Sequence, residues 1–207
     1  VRIPVPVTMR AGWDGSSVNA PGLARRREDA GAASLAVHGR TAKQSYSGWS
    51  NWDLISEVAR GVRIPVFGSG DCVEPEQIVE KLGHGQDETL RPSGISGVLV
   101  GRGVLRNPWI LSQAADLSAG RSPRTITLVE RGQFLLDYIE LLMHERVHGA
   151  DEPHVIRHEQ WIINKIRALA AYYTKGNPRG SQFRTAVNTS RTMDELTTAI
   201  EEFTIYN

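Results

Sequence analysis

Four short apolar runs, each stopped by a glycine-bearing or polar loop and each followed by a helical stretch, set the strongest limit on what this chain can fold into. Val5 to Met9 ends at Gly12-Trp13-Asp14-Gly15, and a polar helical stretch from about Pro21 to Ala30 is closed by Gly31. Ser34-Leu35-Ala36-Val37 is halted by His38-Gly39-Arg40-Thr41, after which Asn51 to Arg60 reads as a helix with Leu54, Ile55 and Val58 on one side. Ile64-Pro65-Val66-Phe67 breaks at Gly68-Ser69-Gly70-Asp71; Pro75 then suits a helix start, with Ile78, Val79 and Leu82 as its buried side. Val98-Leu99-Val100 runs into Gly101-Arg102-Gly103, and Asn107-Pro108 opens the next helix. Residues 83 to 94 are polar and glycine-rich and read as a surface insertion.

Strands alternating with helices imply parallel pairing through crossover helices. Four such units are half of a doubly wound sheet or half of a (β/α)₈ barrel, and in a barrel the reactive loops follow the strands. The third and fourth strands both end in glycine-rich loops. Such turns expose amide groups that suit a phosphate, although glycines also serve simply to make tight turns.

The segment Ala119-Gly120-Arg121-Ser122-Pro123-Arg124 is a boundary, dividing residues 1–120 from a helical region over 125–207. Thr127 and Glu130 have capping-box spacing before a stripe of Phe134, Leu135, Tyr138, Ile139 and Leu142. A second helix carries Trp161, Ile162, Ile166, Leu169 and Tyr173 and stops at Gly176 and Pro178. Thr192 and Glu195 repeat the capping spacing before Leu196, Ile200 and Phe203. The formal charge of the chain is only +1, yet Arg157 to Arg191 holds seven basic residues against the single acid Glu159. Basic residues interleaved with Tyr172 and Tyr173 are the footprint of nucleic-acid backbone contact; a solvated helix face has the same composition.

No apolar run approaches the roughly 18 residues of a membrane span, so no membrane partner is expected. A single cysteine makes no internal disulfide and no Cys-rich zinc module. Val1 opens directly into a strand-like run, so the chain is expected to be part of a longer protein.

Taken in order, Val7 to Asp14, His38-Gly39-Arg40-Thr41, Ile64 to Asp71 and Gly101 to Trp109 resemble the second half of the catalytic barrel of tRNA-dihydrouridine synthases, particularly the bacterial B-type branch. Ile166-Arg167, Tyr172 to Gly176, Arg184 and Val187-Asn188 are similar to that family's C-terminal helical tRNA-binding domain. The resemblance implies a partial (β/α)₈ barrel, its last four units, followed by an all-α domain. It also implies FMN as cofactor, NADPH as electron donor, tRNA as substrate, and a cytoplasmic monomer without a protein partner. His38 would contact the flavin; Ser69, Gly70, Asp71, Gly101 and Arg102 would hold the FMN phosphate; Arg40, Lys165, Arg167, Lys175 and Arg184 would meet tRNA. Amides of two turns and one guanidinium are a physically sensible set for a phosphate dianion.

Two positions depart from the family's pattern. Thr8 stands where the family has a lysine near the flavin, which removes a cation, and Ser69 stands where asparagine is common. The family's proton-donating cysteine is expected upstream of Val1, so no catalytic residue is assigned in this chain. Cys72 follows Asp71 where the family has an aliphatic side chain and reads as a packed thiol. Two further readings compete. A non-catalytic tRNA-binding relative is compatible with Thr8. His144-Glu145-Arg146-Val147-His148 matches the H-E-x-x-H pattern of zinc proteases, with His154, His158 and Glu159 as nearby third ligands. The pattern sits at a helix tail and is short enough to arise by chance, so no metal is expected.

Overall fold

The computed structural model describes residues 3–83, 94–145 and 155–205, with side chains from 158 to 204 in the last stretch. Apart from Gly83 and Gly94 at its ends, the expected insertion lies outside the described residues. The chain forms two compact units, Val1–Pro123 and Arg124–Asn207. Among the described residues no helix is long and apolar enough to cross a membrane.

The first unit is α/β. Strands β1 (Pro6–Arg10), β2 (Ser34–His38), β3 (Val66–Ser69) and β4 (Gly97–Leu99) form one sheet, every pair parallel, in the order of the chain. Helices α1 (Ala20–Asp29), α2 (Trp52–Arg60) and α3 (Pro75–Leu82) make the crossovers, and α4 (Arg102–Arg106) and α5 (Ile110–Ser118) follow β4. β3 begins two residues later than its apolar run. Pro65 has no N–H, and the N–H of Ile64 donates to Glu28 Oε1 at 3.2 Å, so the ladder starts only at Val66. The helix starts are local chemistry. Asn51 accepts from the Leu54 amide to cap α2, while Glu74 and Gln77 form a reciprocal box at α3 with Pro75 in its first turn.

One face of the sheet carries the core. Met9, Leu35, Val37 and Val66 pack with Ala20, Ala24, Ile55 and Val58 of α1 and α2. A second cluster joins Cys72, Ile78, Ile110 and Ala114, and Trp52 packs against both. Fully burying a side chain such as Leu35 or Ile55 contributes about 1.5–3 kcal/mol. On the opposite face the register aligns Thr8, Ala36, Phe67 and Gly97 in one row and Arg10, His38, Ser69 and Leu99 in the next. None of these eight is buried among the described residues.

The second unit holds α6 (Leu128–His144), α7 (Val155–Tyr173), α8 (Gly180–Thr189) and α9 (Met193–Ile205). Thr127 and Glu130 make the expected capping box. Its buried side chains include Leu135, Ile139, Leu142, Ile162, Ile163, Ile166, Tyr173, Phe183, Val187, Leu196, Ile200 and Phe203. The Tyr173 hydroxyl donates to Arg131 O at 2.8 Å, and burial pushes its pKa up. Helix α8 was not legible in the sequence: Gly176 and Pro178 read as a stop, and Phe183 and Val187 are too few to show a stripe. It starts at once because Arg179 adopts a left-handed conformation and Gly180 passes close to the carbonyl of Thr174, where a Cβ would collide.

Candidate functional site

The loops after the four strands are tied together at the carboxyl ends of the sheet. Their keystone is an ion pair joining positions 31 residues apart: Arg40 Nη2 to Asp71 Oδ1 at 2.6 Å. Arg40 is 2% exposed. Its guanidinium also donates to the carbonyls of Ser47 (3.1 Å) and Gly48 (2.6 Å), and its Nη1 is buried without a protein partner. The other Asp71 oxygen accepts from the Ser50 amide at 2.6 Å. Burial raises the pKa of Asp71, but hydrogen bonds from Ser50 and Arg40, with the charges of Arg40 and Arg102, outweigh it and hold the carboxyl below its ordinary value. Asp71 has φ +58 and Gly70 +127, so two successive residues occupy the left-handed half of backbone space. Trp52 Nε1 donates to Gly70 O at 3.0 Å and Ser50 Oγ to Ser69 O at 3.1 Å, closing this turn onto α2.

The neighbouring loops join the same frame. The amides of Ala42 and Lys43 donate to the carbonyls of Gly12 and Trp13, which links the loops after β1 and β2. Lys43 Nζ meets Asp14 Oδ2 at 2.9 Å; hydrogen bonds from Lys43, Ser16 and Ser17 hold the Asp14 carboxyl down to about 2. Gly103 lies against the carbonyl of Cys72, so the glycine turns after β3 and β4 are adjacent. The Arg102 guanidinium lies over the Tyr46 ring at 4.5 Å, which adds a contact between the loops after β2 and β4.

His38 ends β2 beside Arg10, with Ser69 as its partner on β3. The amide of Arg40 donates to its Nδ1 at 3.2 Å, which puts the ring proton on Nε2. Burial and the charges of Arg10 and Arg40 lower its pKa, so the ring is neutral at neutral pH. The amides of Gly70, Asp71 and Gly101 have no protein acceptor among the described residues, and a Cβ at Gly101 would meet only open space. Those groups and exposed Arg102 form a set of donors that fits a phosphate.

Arg40 is buried and committed to Asp71, so it offers no contact to a nucleic acid. The Asp71 carboxylate faces Arg40 and Ser50, which leaves its amide, not its side chain, for an anion. Thr8 is exposed on the bare face, one row from Arg10 and His38. Cys72 is 5% exposed; burial pushes its thiol up to about 11, so it stays protonated and packed. Sequence reasoning missed Ser50 and Trp52, whose partners lie 18 to 21 residues away. Their only local signal is proximity to the capping Asn51.

In the helical unit the expected cation set separates into parts. Arg167 donates to Val187 O at 3.2 Å and Ser190 O at 2.5 Å, satisfying carbonyls at the end of α8. Lys175, Arg179 and Arg184 line one depression with Thr174, Asn177 and Gly180, and Arg184 Nη1 donates to Thr174 Oγ1 at 2.8 Å. Lys165 is exposed with its ammonium over the Trp161 ring at 5.1 Å.

Of the His144 to His148 pattern, His144 ends α6 and Glu145 is already extended. His144 Nδ1 bonds to Glu140 O at 2.8 Å and His158 Nε2 to Leu142 O at 3.1 Å, each ring serving a helix carbonyl. His148 and His154 lie outside the described residues.

The profile of the dihydrouridine synthase (Dus) family matches residues 1–202. A probable tRNA-dihydrouridine synthase of Rickettsia conorii is 33% identical over 189 residues, covering 91% of this chain and 51% of that protein. tRNA-dihydrouridine synthase B of Xanthomonas axonopodis pv. citri is 30% identical over 195 residues, 94% of this chain and 53% of that protein. A probable synthase of Mycobacterium leprae is 32% identical over 197 residues, 94% and 46%. The chain thus spans about half the length of the curated relatives it matches. A parallel sheet with its loops tied at one end, and a family match running through both units, lead to one conclusion: the chain belongs to the dihydrouridine synthase family.

Proposed function

We propose that the protein reduces the 5,6 double bond of selected uridines in tRNA, with FMN bound at the loops described above and NADPH as electron donor. In this reading the first unit is the last half of a (β/α)₈ barrel of the B-type branch, and the second unit binds tRNA. Strand order follows chain order and the crossover helices pack on one face, whereas a doubly wound sheet reverses its order and is covered on both. The Xanthomonas relative named synthase B supports the branch. In this reading the protein works in the cytoplasm as a monomer.

The observation that carries the reading is the adjacency of the two glycine turns, with the amides of Gly70, Asp71 and Gly101 and the side chain of Arg102 left for an anion. These groups would hold the FMN phosphate. FMN, when bound, supplies the two electrons of the reduction. Neutral His38 keeps Nε2–H as a donor towards the cofactor, and the Arg40–Asp71 pair ties the turn after β3 to the loop after β2. Thr8 offers a hydroxyl on the same bare face, without the charge of a lysine. No proton donor is assigned in this chain, because Cys72 is packed. Lys165, Lys175 and Arg184 would meet tRNA phosphates. In the intact protein, Arg102→Ala should weaken FMN binding by about 1.5–3 kcal/mol, the scale of a charge-assisted hydrogen bond. Fluorescence titration of FMN, with the dihydrouridine content of tRNA measured in parallel, tests this; unaltered flavin affinity removes the phosphate assignment.

A further inference from the structure

Trp49 is 84% exposed, the largest exposure among the large apolar side chains described, yet its backbone is held on both sides. Before it, the Gly48 carbonyl accepts from Arg40 at 2.6 Å; after it, the Ser50 amide donates to Asp71 at 2.6 Å. Both anchors are ends of the same ion pair. The segment leading to it is equally fixed: Thr41 and Gln44 exchange hydrogen bonds between side chain and amide, and Ser47 Oγ donates to Gln44 O at 2.7 Å. The loop therefore has little freedom, and its indole projects into solvent rather than into either core. An exposed, mobile tryptophan needs no explanation; an exposed tryptophan on an anchored backbone is pre-organised for a flat partner.

Its surroundings say which partner. Tyr46 and Trp13 are each 65% exposed, Tyr46 on the same loop and Trp13 on the loop hydrogen-bonded to it. The exposed cation Arg102 stacks on Tyr46. Aromatic faces beside a cation suit the π-face of a nucleic-acid base. We infer that Trp49 is a stacking platform for an unpaired base of the RNA substrate. It is a binding contact displayed by the buried Arg40–Asp71 pair, and it rests on the proposed tRNA reading.

The test uses the intact protein and unmodified tRNA, comparing the parent with Trp49→Ala and Trp49→Phe. Loss of a stacked aromatic should weaken binding by about tenfold or more in the alanine variant, with phenylalanine keeping most of the affinity. The slope of log affinity against log salt should not change, because stacking neutralises no phosphate. The melting temperature should also stay put, since the indole is barely buried. Binding should quench a tryptophan emission component present in the parent and absent from Trp49→Phe. If Trp49→Ala binds like the parent, or weakens only with a lower melting temperature or a shallower salt slope, the stacking role is overturned. A parent protein that does not bind tRNA overturns the functional reading itself, and this inference with it.

Discussion

The two units place their arginines differently, and the difference separates frame from contact. In the α/β unit, Arg40 is buried and connects the loops after β2 and β3, far apart in sequence. In the helical unit, Arg167 serves carbonyls at the end of one helix, while Lys165 and Lys175 stand exposed. The first unit also leaves one sheet face uncovered, whereas the helices of the second enclose a core from Leu135 to Phe203. A basic residue in a family motif is thus no guide to contact with a polyanion. What decides is whether its charge is already matched.

That contrast breaks most sharply at Asp71. Asp71→Ala leaves the Arg40 guanidinium buried without its counter-charge, which should destabilise the first unit by about 3 kcal/mol or more. Hydrogen exchange of the two units checks it: protection should fall along β2 and β3 and remain in α6 to α9. Equal loss in both units would mean that the pair is not a local frame.

The helical unit offers the next test, through two cations with opposite expectations. Arg167→Ala removes hydrogen bonds from a charged donor to carbonyls at the end of α8 and should cost about 1.5–3 kcal/mol in the unfolding of that unit. Lys175→Ala should leave stability unchanged but make the log–log salt slope of tRNA binding shallower by about one unit. Denaturant unfolding and binding titrations read the two effects. Were Lys175→Ala to destabilise the unit with no change in slope, the two roles would be reversed.

A smaller effect is expected at Gly132, where α6 meets Thr204 of α9 and a Cβ would collide with its methyl group. Gly132→Ala gains helix propensity but overpacks this crossing, for a net loss of about 1 kcal/mol. A more stable variant would show that α9 moves aside.

The smallest concerns His38. Its folded pKa lies below the ordinary 6.5, so the unfolded chain takes up a proton first as pH falls. Its contribution to stability is present above pH 6.5 and is lost as pH drops towards the folded value. Proton titration of the ring by NMR should show a midpoint below 6.5; a midpoint at or above it contradicts the burial and the cationic neighbours described.

Much of this was legible from residue order, because it depends on local chemistry. Thr127 with Glu130, Asn51 before its helix, Pro75 in a first turn and alternating apolar runs act within a few residues, and each element formed close to where these signals lie. The family motifs were equally local, and they placed His38, Gly70, Gly101 and Arg102 at strand ends. Tertiary structure alone decided how their neighbours are used. A sequence shows that Arg40 and Asp71 are charged, but only the parallel pairing of β2 and β3 brings them to 2.6 Å and turns a supposed RNA contact into a buried brace. The start of α8 depended on the space Gly180 leaves beside Thr174, and the exposure of Trp49 on the loop that Arg40 anchors. The reason is the range of the forces involved. Caps and periodicity act along the chain, while burial and charge pairing act across it and exist only once distant segments meet.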